Sequence, residues 1–245
     1  MPVQQDNQES KVMHQFARFA HEYSRYNIIQ REVAKTLVGQ LPHKRYTCIV
    51  DIGCGSGTVH KIIDRLKIEV DNYIALDASS EMLALHPSKQ NIQKIHANFN
   101  DKETFENLDI RKEETFFLSS SALQWSKDLE FTFSQLAHKS KYAYFAIFTA
   151  NTFKTLHKIA DVQSPIYSEK RLKEVISTYY DAKFQLKRYK LEFKSVRDMF
   201  KYIKKSGVSG GDKQLSYTQM KTVMDTYPLK YLEFEVLFVE ATSLT

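Results

Sequence analysis

Residues 49–57 read Ile-Val-Asp-Ile-Gly-Cys-Gly-Ser-Gly, an apolar strand that breaks directly into glycines at alternate positions. Glycine turns the chain at positive φ and lets backbone N–H groups approach a ligand that a Cβ would hold off. Such a turn at the end of a strand predicts a nucleotide loop, and an adenosine-bearing ligand. A dinucleotide fingerprint would carry its third glycine three residues after the second, at Thr58, where there is none. A second apolar run, 73–76, ends in Asp77, 20 residues beyond Gly57. A carboxylate there can accept two ribose hydroxyls in charge-assisted hydrogen bonds, which does not by itself separate one adenosine cofactor from another.

The rest of the chain alternates strand and helix. Strands are expected at 92–96, 115–119 and 142–148, and helices at 59–66, 80–85, 129–138 and 152–160. This order implies an α/β fold with a doubly wound, Rossmann-like sheet of parallel strands and ligands at their carboxyl ends. Before the first strand, apolar residues recur with a helical period through 10–40, one bent helix or two short ones closed near Gly39 and Pro42. After Ala160 the rhythm changes: 184–193 and 232–241 alternate in the manner of strands and are expected to pair antiparallel at the sheet edge. Between them, helices at 195–205 and 216–227, joined through Gly207, Gly210 and Gly211, form a helical cap inserted at about 195–228, over the carboxyl ends. The division is therefore N-terminal helices at 1–45, closing the cofactor site, and one domain at 46–245.

Composition narrows the setting. With 42% hydrophobic and 26% charged residues the chain is an ordinary globular one. No apolar run approaches the roughly 20 residues that span a bilayer, and the first ten residues lack a signal-peptide core, so a cytoplasmic location is expected and no membrane partner. Cys48 and Cys54 are too few for a disulfide framework or a zinc site, and the eight histidines are scattered, so no metal is expected. The net charge of +6 concentrates in 167–233, with 15 Lys and Arg against 8 Asp and Glu. Two readings of that basicity stand: a solvated face of lysine-rich helices, or a docking surface for an acidic partner.

Asp51 opening the loop, with glycines two, four and six residues later, resembles the S-adenosylmethionine loop of class I methyltransferases. Other blocks resemble one family within that class, the malonyl-acyl-carrier-protein O-methyltransferases of biotin biosynthesis. They are the N-terminal Phe-Ala-Arg-Phe-Ala-His-Glu-Tyr of 16–23 followed by Tyr26 and Gln30, and the Ser-Ser-Ser-Ala-Leu-Gln-Trp of 119–125. Phe193, Ser195, Asp198, Lys201, Lys204 and Gly207 match the family's cap, and the Phe-Glu-Val-Leu-Phe of 234–238 its closing strand. The chain departs from the pattern at Asn98 and Thr115, where the family has acids, and at Ser120, where it has Asn.

The resemblance implies methyl transfer from S-adenosylmethionine, leaving S-adenosylhomocysteine, to the free carboxylate of a malonyl thioester on acyl carrier protein. A carboxylate is ionised at pH 7 and needs no general base, so the enzyme's work is alignment. The cofactor would lie against Asp51, Gly53, Cys54, Gly55 and Gly57 of the loop, Asp77 at the ribose, Asn98 and Phe99 at the adenine, and Ala78, Met82 and Ser119. Tyr23 and Gln30 would close over its methionine end. Gln124 and Trp125 follow the fourth strand, where the methyl moves; with Tyr23 they are the catalytic candidates, although Tyr23 also continues the apolar stripe of Phe16 and Phe19. Lys201 and Lys204 are candidates for the malonyl carboxylate or the carrier's phosphopantetheine phosphate, and acyl carrier proteins are acidic. Three other readings stand beside this one: a methyltransferase of a small carboxylate or quinone precursor; a nucleic-acid methyltransferase or binding module, against which the fourth strand lacks an Asn/Asp-Pro-Pro-aromatic motif; and a non-catalytic cofactor-binding subunit.

Overall fold

The computed structural model describes residues 26–206 and 215–245, and its seven strands form one sheet. β1 (Arg45–Ile52), β2 (Glu69–Asp77), β3 (Ile92–His96), β4 (Thr115–Ser120) and β5 (Tyr142–Phe148) pair in parallel. β7 (Tyr231–Ser243) pairs antiparallel with β5, and β6 (Tyr180–Glu192) antiparallel with β7, so the order is β3-β2-β1-β4-β5-β7-β6. The connecting helices are α1 (Ile28–Gly39), α2 (Thr58–Arg65), α3 (Ser80–Leu85), α4 (Lys102–Glu106), α5 (Leu129–Lys139), α6 (Lys154–Ala160) and α7 (Glu169–Tyr179). Two more, α8 (Val196–Ser206) and α9 (Tyr217–Thr226), fall between β6 and β7 in the chain. None of the described helices is long and apolar enough to cross a membrane.

Strand side chains alternate between faces, which divides the core into two layers. Ile49 and Tyr73 meet Val33 and Leu37 of α1 and Ile62 and Ile63 of α2 on one face. Val50, Ile52, Leu76 and Phe117 meet Phe133 and Leu136 of α5 and Leu172 and Ile176 of α7 on the other. A strand covered on both faces reads as an unbroken apolar run, as β5 does from Tyr142 to Phe148. β6, at the edge, alternates instead and carries Lys183, Arg188 and Lys190 outward, charges that discourage pairing with another chain.

Three differences from the sequence reading have physical reasons. α7 was not expected, because its buried stripe is narrow: only Leu172, Val175 and Ile176 face the core amid lysines and glutamates. Its start was legible in Ser168, whose side chain accepts from Arg171 N–H at 3.2 Å. The five-residue α4 is too short to show a period. α6 begins at Lys154 and not at Thr152, because Phe153 takes a left-handed φ of 59° while the Thr152 hydroxyl donates to Glu235 O at 3.2 Å. α8 and α9 pack at the carboxyl end of β5: Gln219 Nε2 donates to Ala160 O of α6 at 2.9 Å, and the Tyr202 ring stands 6.4 Å from that of Phe234.

Candidate functional site

Strand order reverses between β1 and β4, which leaves a crevice at their carboxyl ends. A cavity of about 370 Å³ lies there, lined from the loops after β1, β2, β3 and β4, from α1, and from Pro165 and Tyr167. That is the volume of an ordinary small-molecule site.

The loop after β1 is built by backbone geometry. Gly53, Gly55 and Gly57 all have positive φ, at 68°, 54° and 80°. At Gly53 glycine is also required by close approach, since a Cβ would stand 2.3 Å from Ala122 Cβ. Gly53 and Cys54 N–H groups both donate to Leu76 O of β2, at 2.8 and 3.0 Å, which pins the loop to its neighbour strand. Asp77 at the end of β2 accepts from Gly55 N–H at 2.7 Å on one oxygen and from Ser79 N–H at 2.9 Å on the other. Its carboxylate is thereby oriented and keeps further lone pairs for a ligand. Burial raises its pKa, and the same two N–H groups oppose the rise. Burial, with Asp51 and Asp77 nearby, pushes the Cys54 thiol well above its ordinary value, so it is a neutral lining group.

Of the residues expected at the cofactor, Gln30, Gly53, Cys54, Gly55, Asp77, Ala78, Met82, Asn98 and Phe99 line this one cavity, together with Gln124 and Trp125. Three expected there do not line it. Asp51 points off β1 onto the α1–α2 face, where it is fully buried and takes the Tyr73 hydroxyl on Oδ2 at 2.7 Å; its Oδ1 has no hydrogen-bond partner among the described residues. Burial pushes its carboxyl up to about 7, against the Tyr73 hydrogen bond and with the charge of Asp77. Ser119 lies inside the sheet and donates to Ile52 O at 2.8 Å, tying β4 to β1. Gly57 has turned away into α2, its α-carbon so close to the His86 ring and Pro87 that a Cβ would come within 2.8 and 2.6 Å of them. Tyr23 lies outside the described residues, as does the side chain of Lys204. Lys201 is exposed on α8, 3.3 Å from Asp198, and is not among the lining residues.

Beyond β4 the sequence reading named Gln124 and Trp125 but missed the rest of the wall. Ser120, Ser121 and Ala122 line the cavity, and so do Ser126, Lys127, Pro165 and Tyr167. The Tyr167 hydroxyl donates to Ser126 O at 2.9 Å, and Tyr167 O accepts from Ala150 N–H at 2.8 Å, so this residue ties the turn after β4 to the loop after β5. No local pattern announces a contact across 41 residues of chain. Four buried side-chain atoms of lining residues lack a partner among the described residues: Gln30 Oε1, Gln124 Oε1, Ser120 Oγ and Ser121 Oγ. Buried polar atoms are normally paired, so a cluster of unpaired ones around one cavity marks a place prepared for a ligand.

Residues 50–141 match the family model of the methyltransferase domain. The chain is 25% identical over 223 residues to the malonyl-[acyl-carrier protein] O-methyltransferase of Bacillus cytotoxicus, across 80% of this chain and 75% of that protein. It is 26% identical over 246 residues to the protein of the same name from Calditerrivibrio nitroreducens, across 89% of this chain and 92% of that one. Among solved structures, a SAM-dependent methyltransferase from Archaeoglobus fulgidus superposes with a TM-score of 0.53 at 15% identity, over 86% of this chain and 94% of the other, a likeness of fold.

Proposed function

We propose that this chain, a class I S-adenosylmethionine-dependent methyltransferase similar to the malonyl-[acyl-carrier protein] O-methyltransferases, methylates the free carboxylate of a malonyl thioester carried on acyl carrier protein. The observation that carries the reading is the joining, in one cavity, of an oriented carboxylate at Asp77 with the uncharged polar wall of Ser120, Ser121 and Gln124. In this reading the reaction is the entry step of biotin biosynthesis and takes place in the cytoplasm.

The residues present fit the cofactor. Asp77 has two oriented oxygens for the ribose hydroxyls. Met82 and Phe99 offer apolar walls for the adenine, and the Asn98 amide a polar edge. Gln30 Oε1 and Gln124 Oε1, acceptors without a partner among the described residues, suit an ammonium group. When bound, S-adenosylmethionine supplies a methyl group on a positively charged sulfur. The chain's own part is to bind, orient and exclude water. No proton has to move, because the acceptor carboxylate is ionised at neutral pH. Alignment in a closed site can lower the barrier by about 7–11 kcal/mol. Trp125 shields the cavity from water beside Gln124, and residues 1–45, with Tyr23, close the methionine end. The segment 195–228 serves as the cap, and its lysines, Lys201 and Lys204, meet the acidic carrier.

The test is transfer from labelled S-adenosylmethionine to malonyl-acyl carrier protein, with malonyl-coenzyme A and acetyl-acyl carrier protein alongside. Transfer to the malonyl carrier alone is the expected result. Cofactor binding without transfer to any of the three would overturn the substrate and leave the cofactor.

A further inference from the structure

At the carboxyl end of β4, Ser120 and Ser121 bring two hydroxyls to the cavity lining. Ser121 has a left-handed φ of 66°, a conformation that costs a serine free energy and recurs where function demands it. The turn lays Ala122 against Gly53, and Ser121 N–H donates to Ala146 O at 2.8 Å, so the backbone here is held from both sides. Gln124 is held too: its Nε2 donates to Ser121 O at 2.6 Å, which fixes the amide and leaves Oε1 as a buried acceptor. An acceptor repels an anion. The hydroxyls of Ser120 and Ser121 are different, since each can donate, and both are buried and unpartnered among the described residues.

We propose that Ser120 and Ser121 form the acceptor-oxygen subsite, two hydroxyl donors that grip one carboxylate of the substrate, while the Gln124 and Gln30 carbonyl oxygens face the cationic end of the cofactor. This rests on the carboxylate reading above and names the residues that select it. Two hydroxyls orient a carboxylate without giving it a proton. A bidentate guanidinium would draw more charge from the attacking oxygen and make it a weaker nucleophile.

The protein loaded with S-adenosylhomocysteine is titrated with malonate, and binding is read from the fluorescence of Trp125, the chain's one tryptophan and a lining residue. Saturable binding to the wild type is expected, weakened about tenfold or more in Ser120→Ala and in Ser121→Ala, with affinity for S-adenosylhomocysteine within about twofold of wild type. Ser121→Ala keeps the Cβ and so the contacts of the turn. Ser121→Gly removes the hydroxyl while relieving the positive φ, and is expected to be more stable than Ser121→Ala yet equally weak toward malonate. No saturable response in the wild type, unchanged malonate affinity in the variants, or a parallel fall in S-adenosylhomocysteine affinity would overturn the subsite. Transfer to the malonyl carrier by the wild type, measured separately, decides the reading beneath it: malonate binding without transfer keeps the subsite and removes the carrier.

Discussion

Asp51 and Glu235 are both buried carboxylates, 0% and 2% exposed, one in the parallel half of the sheet and one in the antiparallel half. Asp51 has a single donor, the Tyr73 hydroxyl, and its second oxygen has no partner among the described residues; burial dominates and holds its pKa near 7. Burial also pushes Glu235 upward, but Thr149, Asn151 and Arg188 donate to it at 2.7, 2.8 and 2.9 Å, and together they bring its pKa below the ordinary value. Glu235 has partners on both of its oxygens, as a carboxylate with a structural role does. Around the cavity, Gln30, Ser120, Ser121 and Gln124 each keep a polar atom without a partner among the described residues, and so give up some stability where a ligand can restore it.

The largest expected effect is in the parallel half. Gly53→Ala sets a Cβ 2.3 Å from Ala122 Cβ at a φ of 68°, and is expected to lower unfolding free energy by about 3–4 kcal/mol and to abolish S-adenosylhomocysteine binding, by chemical denaturation and calorimetry. Glu235→Ala is expected to cost about 2–3 kcal/mol by stranding the Thr149 and Asn151 donors, with cofactor affinity unchanged. Because the folded pKa of Glu235 lies below its unfolded value, its stabilisation is present above about pH 4.5 and is lost as pH falls through the folded value. A fall in cofactor affinity in Glu235→Ala would erase the contrast between the halves.

Asp51 reverses the sign. Its folded pKa of about 7 lies above the ordinary 3.8, so its contribution to stability is fully present below pH 3.8 and is lost as pH rises through 7. A cofactor bearing a net positive charge favours the ionised form. Affinity for S-adenosylmethionine is therefore expected to strengthen about two- to fivefold from pH 6 to pH 8, for an interaction of about one pKa unit or less. S-adenosylhomocysteine, which lacks the sulfonium, should change less, and Asp51→Asn should flatten both profiles. A flat wild-type profile for S-adenosylmethionine would mean that the carboxylate behind the loop does not sense the cofactor's charge.

The same division decides how much could be read before the structure. β3 and β5 have the expected bounds, and the loop after β1 with Asp77 could be placed from spacing alone, because glycine conformations and strand-end acids are local requirements. What escaped depends on contacts between distant segments. Tyr167 reaches Ser126, Arg188 reaches Glu235, and Gly53 yields to Ala122, each a pairing of residues far apart in the chain. Asp51, Ser119 and Gly57 sit in the expected motifs and yet do not line the cavity: strand alternation aims Asp51 at α1 and α2, Ser119 stays in the sheet, and the backbone at Gly57 turns into the start of α2. The clustered positive charge of the C-terminal third was legible in amount, but which lysines face a partner was not.

The smallest expected effect concerns those lysines. Lys201 is 62% exposed and pairs with Asp198 three residues before it, a surface pair worth about 0–1 kcal/mol. Lys201→Glu should accordingly leave unfolding free energy nearly unchanged, and cofactor affinity with it. If the outer face of α8 meets an acidic carrier, reversal should raise the Michaelis constant for malonyl-acyl carrier protein about two- to fivefold at low salt, because long-range attraction governs encounter. The difference should fade as salt shortens the Debye length toward 3 Å at about 1 M. Equal Michaelis constants at every salt concentration would remove Lys201 from the docking face. A salt-insensitive rise would mean direct contact with the bound substrate and bring α8 into the site, so that the antiparallel half would have to be counted as part of the catalytic unit.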